Sequence, residues 1–244
     1  MFNEYPLLVA ANRDERYDRP SAAPSVWPTQ PAILAGKDLV AGGTWLGINE
    51  HRLLAGILNR RLNSGQPAIP TRSRGLLCLD LLRLQCAAEA RTWVHQLEDA
   101  FEPFTLLFAD PEEAWVAYNS GRQIKTYKLT EGLHVFSSAA EFEMRSEKVD
   151  RAHLQFARLV VEPQAGERDK PAWVHSLRTA LGDHTLGNDS NDPKEAICVH
   201  GDISGTVSST IIIYAQVAGR CYLFNCPGPP CQRSFGEPLQ LAVR

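Results

Sequence analysis

Apolar positions fall into short blocks with two different periods, and the order of the blocks predicts strands, two helices, strands, two helices, strands. Tyr5 to Asn12 is an apolar run that gives way to charge at Arg13 to Arg19 and then to a proline-rich stretch ending at Pro31, reading as a buried strand that enters a loop. Ala32 to Ala35 is a short strand. After the Gly42-Gly43 turn, Thr44 to Asn49 and Leu53 to Asn59 form the clearest hairpin, closed at Glu50 to Arg52. A polar loop with Pro67 and Pro70 follows, and Ser73 caps a helix carrying Leu76, Leu77, Leu81 and Leu84, with a second helix at about Glu89 to Leu97.

Strand signals resume at Phe104 to Ala109, Ala114 to Tyr118, Gln123 to Leu129 and Leu133 to Ser137, with Asn119-Ser120-Gly121 as a turn. From Glu147 to Val161 the apolar positions Val149, Ala152, Phe156 and Val160 follow helical spacing, and Pro171, Trp173, Leu177 and Leu181 mark a fourth helix. A polar loop from Gly182 to Pro193 precedes three closing strands, Ala196 to His200, Val207 to Tyr214 and Cys221 to Asn225. So many strands interrupted by helix pairs fit two packed sheets covered by helices, an α+β chain arranged as a four-layer αββα sandwich. No repeat, low-complexity segment or linker divides residues 1–244, which read as one domain.

Composition narrows the function classes. The 25 basic residues nearly balance 28 acidic ones, and no Lys/Arg-rich run is present, which argues against nucleic acid as a partner. The longest apolar runs are of strand length, far below the roughly 20 residues that span a bilayer, so no stable membrane insertion is expected. Met1 to Pro6 lacks the features of a signal peptide, and the expected location is cytoplasmic. The six cysteines then read as reduced thiols. Cys221, Cys226 and Cys231 are spaced too widely for the usual zinc pairs, and His51, His95, His134, His153, His175 and His184 show no ligand spacing, so no metal and no cofactor is expected. The oligomeric state is left open.

The densest cluster of reactive side chains is Asn12-Arg13-Asp14-Glu15 at the end of the first strand, where a rigid element delivers amide, guanidinium and carboxylate groups to one loop. A solvated turn with surface ion pairs is the alternative. The usual nucleophile and phosphate motifs are missing, and Gly201 to Ser209, rich in glycine and hydroxyls, lacks a phosphate-loop lysine. His200, just before it, is a further candidate, with a hydrogen-bonded structural histidine as the alternative.

Ala10 to Glu15 (Ala-Ala-Asn-Arg-Asp-Glu) resembles the NRDE family, which includes the transport-and-Golgi-organisation proteins. Tyr17 to Pro20, Leu34 to Asp38, Gly42 to Gly47, Ile197 to Gly201, Gly205-Thr206 and Gly228 to Cys231 support the resemblance in family order over nearly the whole chain. That family is similar to N-terminal-nucleophile hydrolases of the choloylglycine hydrolase and penicillin V acylase type, which are αββα sandwiches. The resemblance implies a cysteine that is both nucleophile and, through its α-amine, base. The two groups titrate near 8.5 and 8, so the proton transfer is nearly balanced.

On the same resemblance Asp14 orients the amine, Arg13 favours the thiolate, Asn59 donates to the oxyanion and Ser138 supplies a hydrogen bond. Asn12, Glu15, Trp45, His200 and Thr206 form the implied ligand-binding set. Four departures matter. Members begin Met-Cys, followed by further residues before the part matching Glu4 to Pro6, whereas this chain begins Met1-Phe2; a first strand and the nucleophile are expected upstream. Arg13 and Asp14 are adjacent, where the acylases separate the pair by two residues. Ser137-Ser138 replaces Thr-Asn or Ser-Asn, and Val207 stands where many relatives have Arg. The implied partner is a small-molecule amide or thioester, cleaved or transferred through an acyl-enzyme. The alternative is a non-catalytic binding or trafficking protein for an apolar acidic ligand such as haem or acyl-CoA.

Overall fold

A computed structural model describes residues 4–60, 72–98, 101–119, 123–138, 146–161, 170–187 and 190–244. Two antiparallel sheets carry the fold. One has four strands in the order β1 (Leu7–Arg16), β9 (Ser204–Ala215), β10 (Arg220–Cys226), β11 (Leu239–Ala242). The other runs in chain order through seven strands: β2 (Ser21–Trp27), β3 (Ile33–Asp38), β4 (Leu46–Asn49), β5 (Leu54–Asn59), β6 (Phe104–Ala109), β7 (Ala114–Asn119) and β8 (Ile124–Leu129). Four α-helices are seen among the described residues: α1 (Arg74–Leu81), α2 (Ala87–His95), α3 (Glu147–Val161) and α4 (Lys170–Leu181).

The period-two pattern of the strands decides the layers. Leu34, Ile48 and Leu54 of the larger sheet meet Ile212, Tyr214 and Leu223 of the smaller one in the core between the sheets. The alternate residues Ile33, Ala35 and Ala55 face outward under Leu77, Leu81 and Val94 of α1 and α2. On the far side Ile211, Ile213 and Phe224 are covered by Phe156, Leu177 and Leu181 of α3 and α4. The result is the αββα sandwich that the order of elements predicts. No helix among the described residues is long and apolar enough to cross a membrane.

Five segments depart from the sequence reading. The charged stretch after Asn12 is not at first a loop: β1 continues to Arg16, paired with β9, so Arg13 to Arg16 stand on a strand. The proline-rich stretch contains β2, which tolerates Pro24 because it is an edge strand with its register shifted between Ala22 and Ser25. The short edge strand β11 also forms, pairing with β10. Leu133 to Ser137 is not a strand: the ladder ends at β8, and the apolar signal reflects Phe136 packing on Val116, Tyr118 and Leu129. Ala196 to His200 is not a strand either, keeping a single bridge between His200 and Gly205. Its backbone is held by loop and side-chain groups, Cys198 N–H donating to Asp183 O at 2.8 Å and Val199 N–H to Thr206 Oγ1 at 2.9 Å. The Asn119-Ser120-Gly121 turn and the Pro67 and Pro70 loop lie partly or wholly outside the described residues.

Ser73 caps α1, its Oγ accepting from Gly75 N–H at 3.3 Å. At Gly43 an added Cβ would stand 2.2 Å from the Gly75 carbonyl carbon, so the glycine lets α1 dock directly on the backbone of the β3–β4 connection.

Candidate functional site

A cavity of about 1220 Å³ runs along β1. Every residue from Tyr5 to Asn12 lines it, without the alternation that one face of a strand would give, so the cavity follows the strand's edge. That edge is the outer one of the smaller sheet, because among the described residues β1 pairs only with β9. Opposite lie Leu46, Ile57 and Leu107 of the larger sheet, and Ala152, Phe156 and Leu177 of α3 and α4. The lining is mainly apolar; its polar groups include Asn12, Asp14 and Lys148 and also Asp110, Glu112, Glu113, Lys128 and Glu131 around β7 and β8.

The register of β1 on β9 slips between Arg13 and Asp14: Arg13 faces Ser208 and Asp14 faces Thr206, leaving Val207 as the extra residue. Each side chain on either side of this bulge has a distinct task. Asn12 braces three elements, its Nδ2 donating to Leu181 O and to Ile197 O at 2.9 Å each while Oδ1 accepts from Ser209 Oγ at 2.5 Å. Arg13 points the other way, into the space between the sheets. Its guanidinium lies 4.2 Å from the Trp45 ring centroid and donates to Ser21 Oγ at 3.0 Å. Burial lowers the Arg13 pKa, against the opposing charges of Glu15 and Asp38. Glu15 stands 4.0 Å from Arg13 and 3.7 Å from Arg19, which in turn grips Asp38 at 2.7 Å.

Asp14 turns toward α3. Its Oδ1 accepts from Thr206 Oγ1 at 2.6 Å, and Lys148 supplies the nearby positive charge. The Asp14 side chain is open to solvent at the cavity yet closely surrounded by protein, and burial raises its pKa above the ordinary carboxylate value, outweighing Thr206 and Lys148. Lys148 is shifted downward by burial, against Asp14, and its Nζ donates to Lys194 O at 2.9 Å. Burial thus weakens the charged form of both partners, an arrangement typical of sites that move protons.

The remaining sequence candidates are spread more widely. Trp45 and Ser138 line the cavity with Asn12 and Asp14. Asn59 is exposed at the end of β5 opposite Phe104 and is not part of the cavity wall, nor are Arg13, Glu15, His200 and Thr206. Thr206 is buried behind Asp14, and His200 lies beside Cys231 at 3.2 Å. Lys148 is a site residue that the sequence reading passes over. Its signal was present, since Lys148, Ala152 and Phe156 occur at i, i+4 and i+8 and make one stripe facing the cavity.

A family model described as Transport and Golgi organisation 2 matches residues 2–223. Among curated proteins, the mouse Transport and Golgi organization 2 homolog is 47% identical over 60 residues, 23% of this chain and 22% of that protein. The human homolog is 42% identical over 76 residues, 30% of this chain and 26% of that protein. The matched part therefore spans about a quarter of these relatives' length. Among solved structures, penicillin V acylase from Agrobacterium tumefaciens superposes with a TM-score of 0.55 at 14% identity, over 91% of this chain and 79% of that one. A variant of conjugated bile acid hydrolase from Clostridium perfringens gives 0.57 at 10%, over 88% and 84%. The Caenorhabditis elegans ortholog of N-acylethanolamine-hydrolyzing acid amidase gives 0.52 at 13%, over 84% and 91%. At these identities the likeness is one of fold: the chain has the fold of N-terminal-nucleophile hydrolases.

Proposed function

Because this chain belongs to the Transport and Golgi organisation 2 family, we propose that it is the body of an N-terminal-cysteine hydrolase or acyltransferase for an apolar amide or thioester. Its nucleophile would be carried on a strand that adds to β1. The observation that carries the reading is the free edge of β1, which runs along an apolar cavity to Asn12, Arg13 and Asp14. Small-molecule sites usually measure roughly 300–1,000 Å³. A volume of about 1220 Å³ exceeds that range, as a cavity that also receives part of a strand would.

A strand laid antiparallel on that edge would be flanked by Asp14 on one side and Arg13 on the other. In the proposed reaction the cysteine thiol passes its proton to its own α-amine, held by Asp14, and the thiolate forms a bond to the substrate carbonyl carbon. Ser138, which lines the cavity, is the proposed donor to the oxyanion, where one well-placed donor is worth about 3 kcal/mol; Asn59, outside the cavity wall, would join it only if the bound substrate reaches the end of β5. The intermediate collapses with cleavage of the C–N or C–S bond, and the leaving group takes the proton from the ammonium. Water or another acceptor then attacks the acyl-thioester in the same way. Names of the structural neighbours that record hydrolysis of bile acid conjugates and N-acylethanolamines support this class of chemistry.

The reading frame upstream of Met1 tests the proposal first: an in-frame Met-Cys is expected, and an immediate stop codon would overturn it. With the cysteine present, N-acyl amides and acyl-CoA thioesters should give a burst of acyl-enzyme that Cys→Ala abolishes.

One feature favours a second reading. Lys148 and Arg158 of α3 border the apolar cavity and are the groups that an acidic apolar ligand would meet, against the carboxylates Asp14, Asp110, Glu112, Glu113 and Glu131 in the same lining. Non-catalytic binding of haem or an acyl-CoA would then give saturable titrations by absorbance or calorimetry with no turnover.

A further inference from the structure

We propose that Cys198, Cys231, His200 and His184 form a metal site for a soft divalent cation, Zn²⁺ foremost, where the turn after α4 and the loop after β10 meet the segment before β9. The four residues come from three segments far apart in the chain: the turn after α4, the segment before β9 and the loop after β10. Cys198 Sγ lies 3.7 Å from Cys231 Sγ and 3.6 Å from His200 Nε2, and His200 Nε2 lies 3.2 Å from Cys231 Sγ. Tetrahedral zinc with Zn–S near 2.3 Å and Zn–N near 2.0–2.1 Å separates two sulfurs by about 3.8 Å and a sulfur from a nitrogen by about 3.6 Å. Two of the three measured separations match, and the third differs by a few tenths of an ångström.

His184 completes the set, its ligand atom lying with those of His200 and Cys231 within 4.8 Å of one another. Its Nδ1 is 3.3 Å from Gly182 O, the arrangement in which Nδ1–H donates to a carbonyl and leaves Nε2 free for a metal. Two thiolates balance the charge of one divalent cation, each thiol releasing its proton to solvent on binding. Four protein ligands make a closed, structural site rather than a catalytic one.

The scaffold holds these groups in place without help from the ligands. Arg178 Nε donates to Pro230 O at 3.0 Å and to Arg233 O at 3.1 Å, pinning the loop that carries Cys231. An added Cβ at Gly182 would stand 3.1 Å from Cys231 N, so the turn after α4 packs directly on that loop. A disulfide between the two cysteines would need the sulfurs near 2.05 Å and would leave both imidazoles without a task. The cation would fasten the same segments that hold Asn12, through Leu181 O and Ile197 O, and Asp14, through Thr206 and Val199.

Metal analysis of the protein equilibrated with micromolar Zn²⁺ and then desalted should find close to one ion per chain. Co²⁺ in its place should show thiolate-to-metal charge-transfer absorption. Cys231→Ser and the exposed-site variant His184→Ala, checked for folding by circular dichroism, should each bind Zn²⁺ about a hundredfold more weakly or worse, since even outer-sphere partners of metal ligands are worth roughly 10–100-fold. Substoichiometric metal in the parent protein, or parent-like affinity in both variants, would overturn the proposal.

Discussion

Thr206 and Asp14 are joined by a 2.6 Å hydrogen bond from the Thr206 hydroxyl to the Asp14 carboxylate, and the same hydroxyl oxygen accepts from Val199 N–H at 2.9 Å. One buried side chain therefore satisfies a backbone donor and orients the carboxylate at the head of the cavity. It does so across a strand pair whose register slips at this point.

Replacing Thr206 by valine keeps the shape and removes both bonds. The Val199 amide and the Asp14 carboxylate lose their partner, and urea unfolding should show a loss of about 1–3 kcal/mol. Thr206→Ser should keep most of it. A valine variant as stable as the parent would mean that the hydroxyl is not the link described here.

Asp14 gives a pH signature. Its folded-state pKa is raised, chiefly by burial, so the folded protein holds a proton there that the unfolded chain has already lost. Stability is thus lost as pH rises from the ordinary carboxylate value through the raised one, and at neutral pH Asp14 costs stability. Asp14→Asn should melt higher than the parent near pH 7, and the gap should shrink as pH falls through the ordinary carboxylate range. A gap that widens toward acid would reverse the assigned direction. If Asp14 orients a nucleophile, the same variant loses activity while gaining stability, a trade common at functional sites.

Adjacent glycines make a contrasting pair. At Gly43 an alanine Cβ would meet the Gly75 carbonyl at about 2.2 Å, which no rotamer relieves, and undocking α1 should cost about 3 kcal/mol or more. Gly42 has φ of +78° with nothing within 4 Å of an added Cβ, so Gly42→Ala should cost only the left-handed backbone penalty of about 1–2 kcal/mol. Thermal melts of the two variants test the difference, and equal losses would contradict the close approach.

The sequence legibility of this fold follows from how each element is stabilised. Helix α3 is readable because one face is buried, and the β4–β5 hairpin because both of its faces are, which leaves two short apolar runs around a polar turn. Strand β2 hides behind Pro24, since an edge strand obeys looser rules than a central one. Leu133 to Ser137 shows the opposite error, because an apolar pattern records burial and not ladder pairing. In the site, Asn12 to Glu15 stands out as a charged break after an apolar run. The opposite directions of Arg13 and Asp14 follow from strand alternation, which is hidden when the charged stretch is read as a loop, and the bulge at Val207 that sets Thr206 opposite Asp14 has no local signal. Lys148 and the Cys198, Cys231, His200 and His184 group meet only through long-range folding, so spacing along the chain could not reveal the latter.

The central claim is that the edge of β1 receives a strand bearing a cysteine nucleophile. Intact-mass analysis of the endogenous protein, before and after exposure to an acyl-CoA or N-acyl amide, tests it most directly. The account predicts a chain that starts with cysteine upstream of Met1 and gains one acyl group at that residue. A mature chain with no cysteine ahead of β1, or one that never takes up an acyl group, would contradict it.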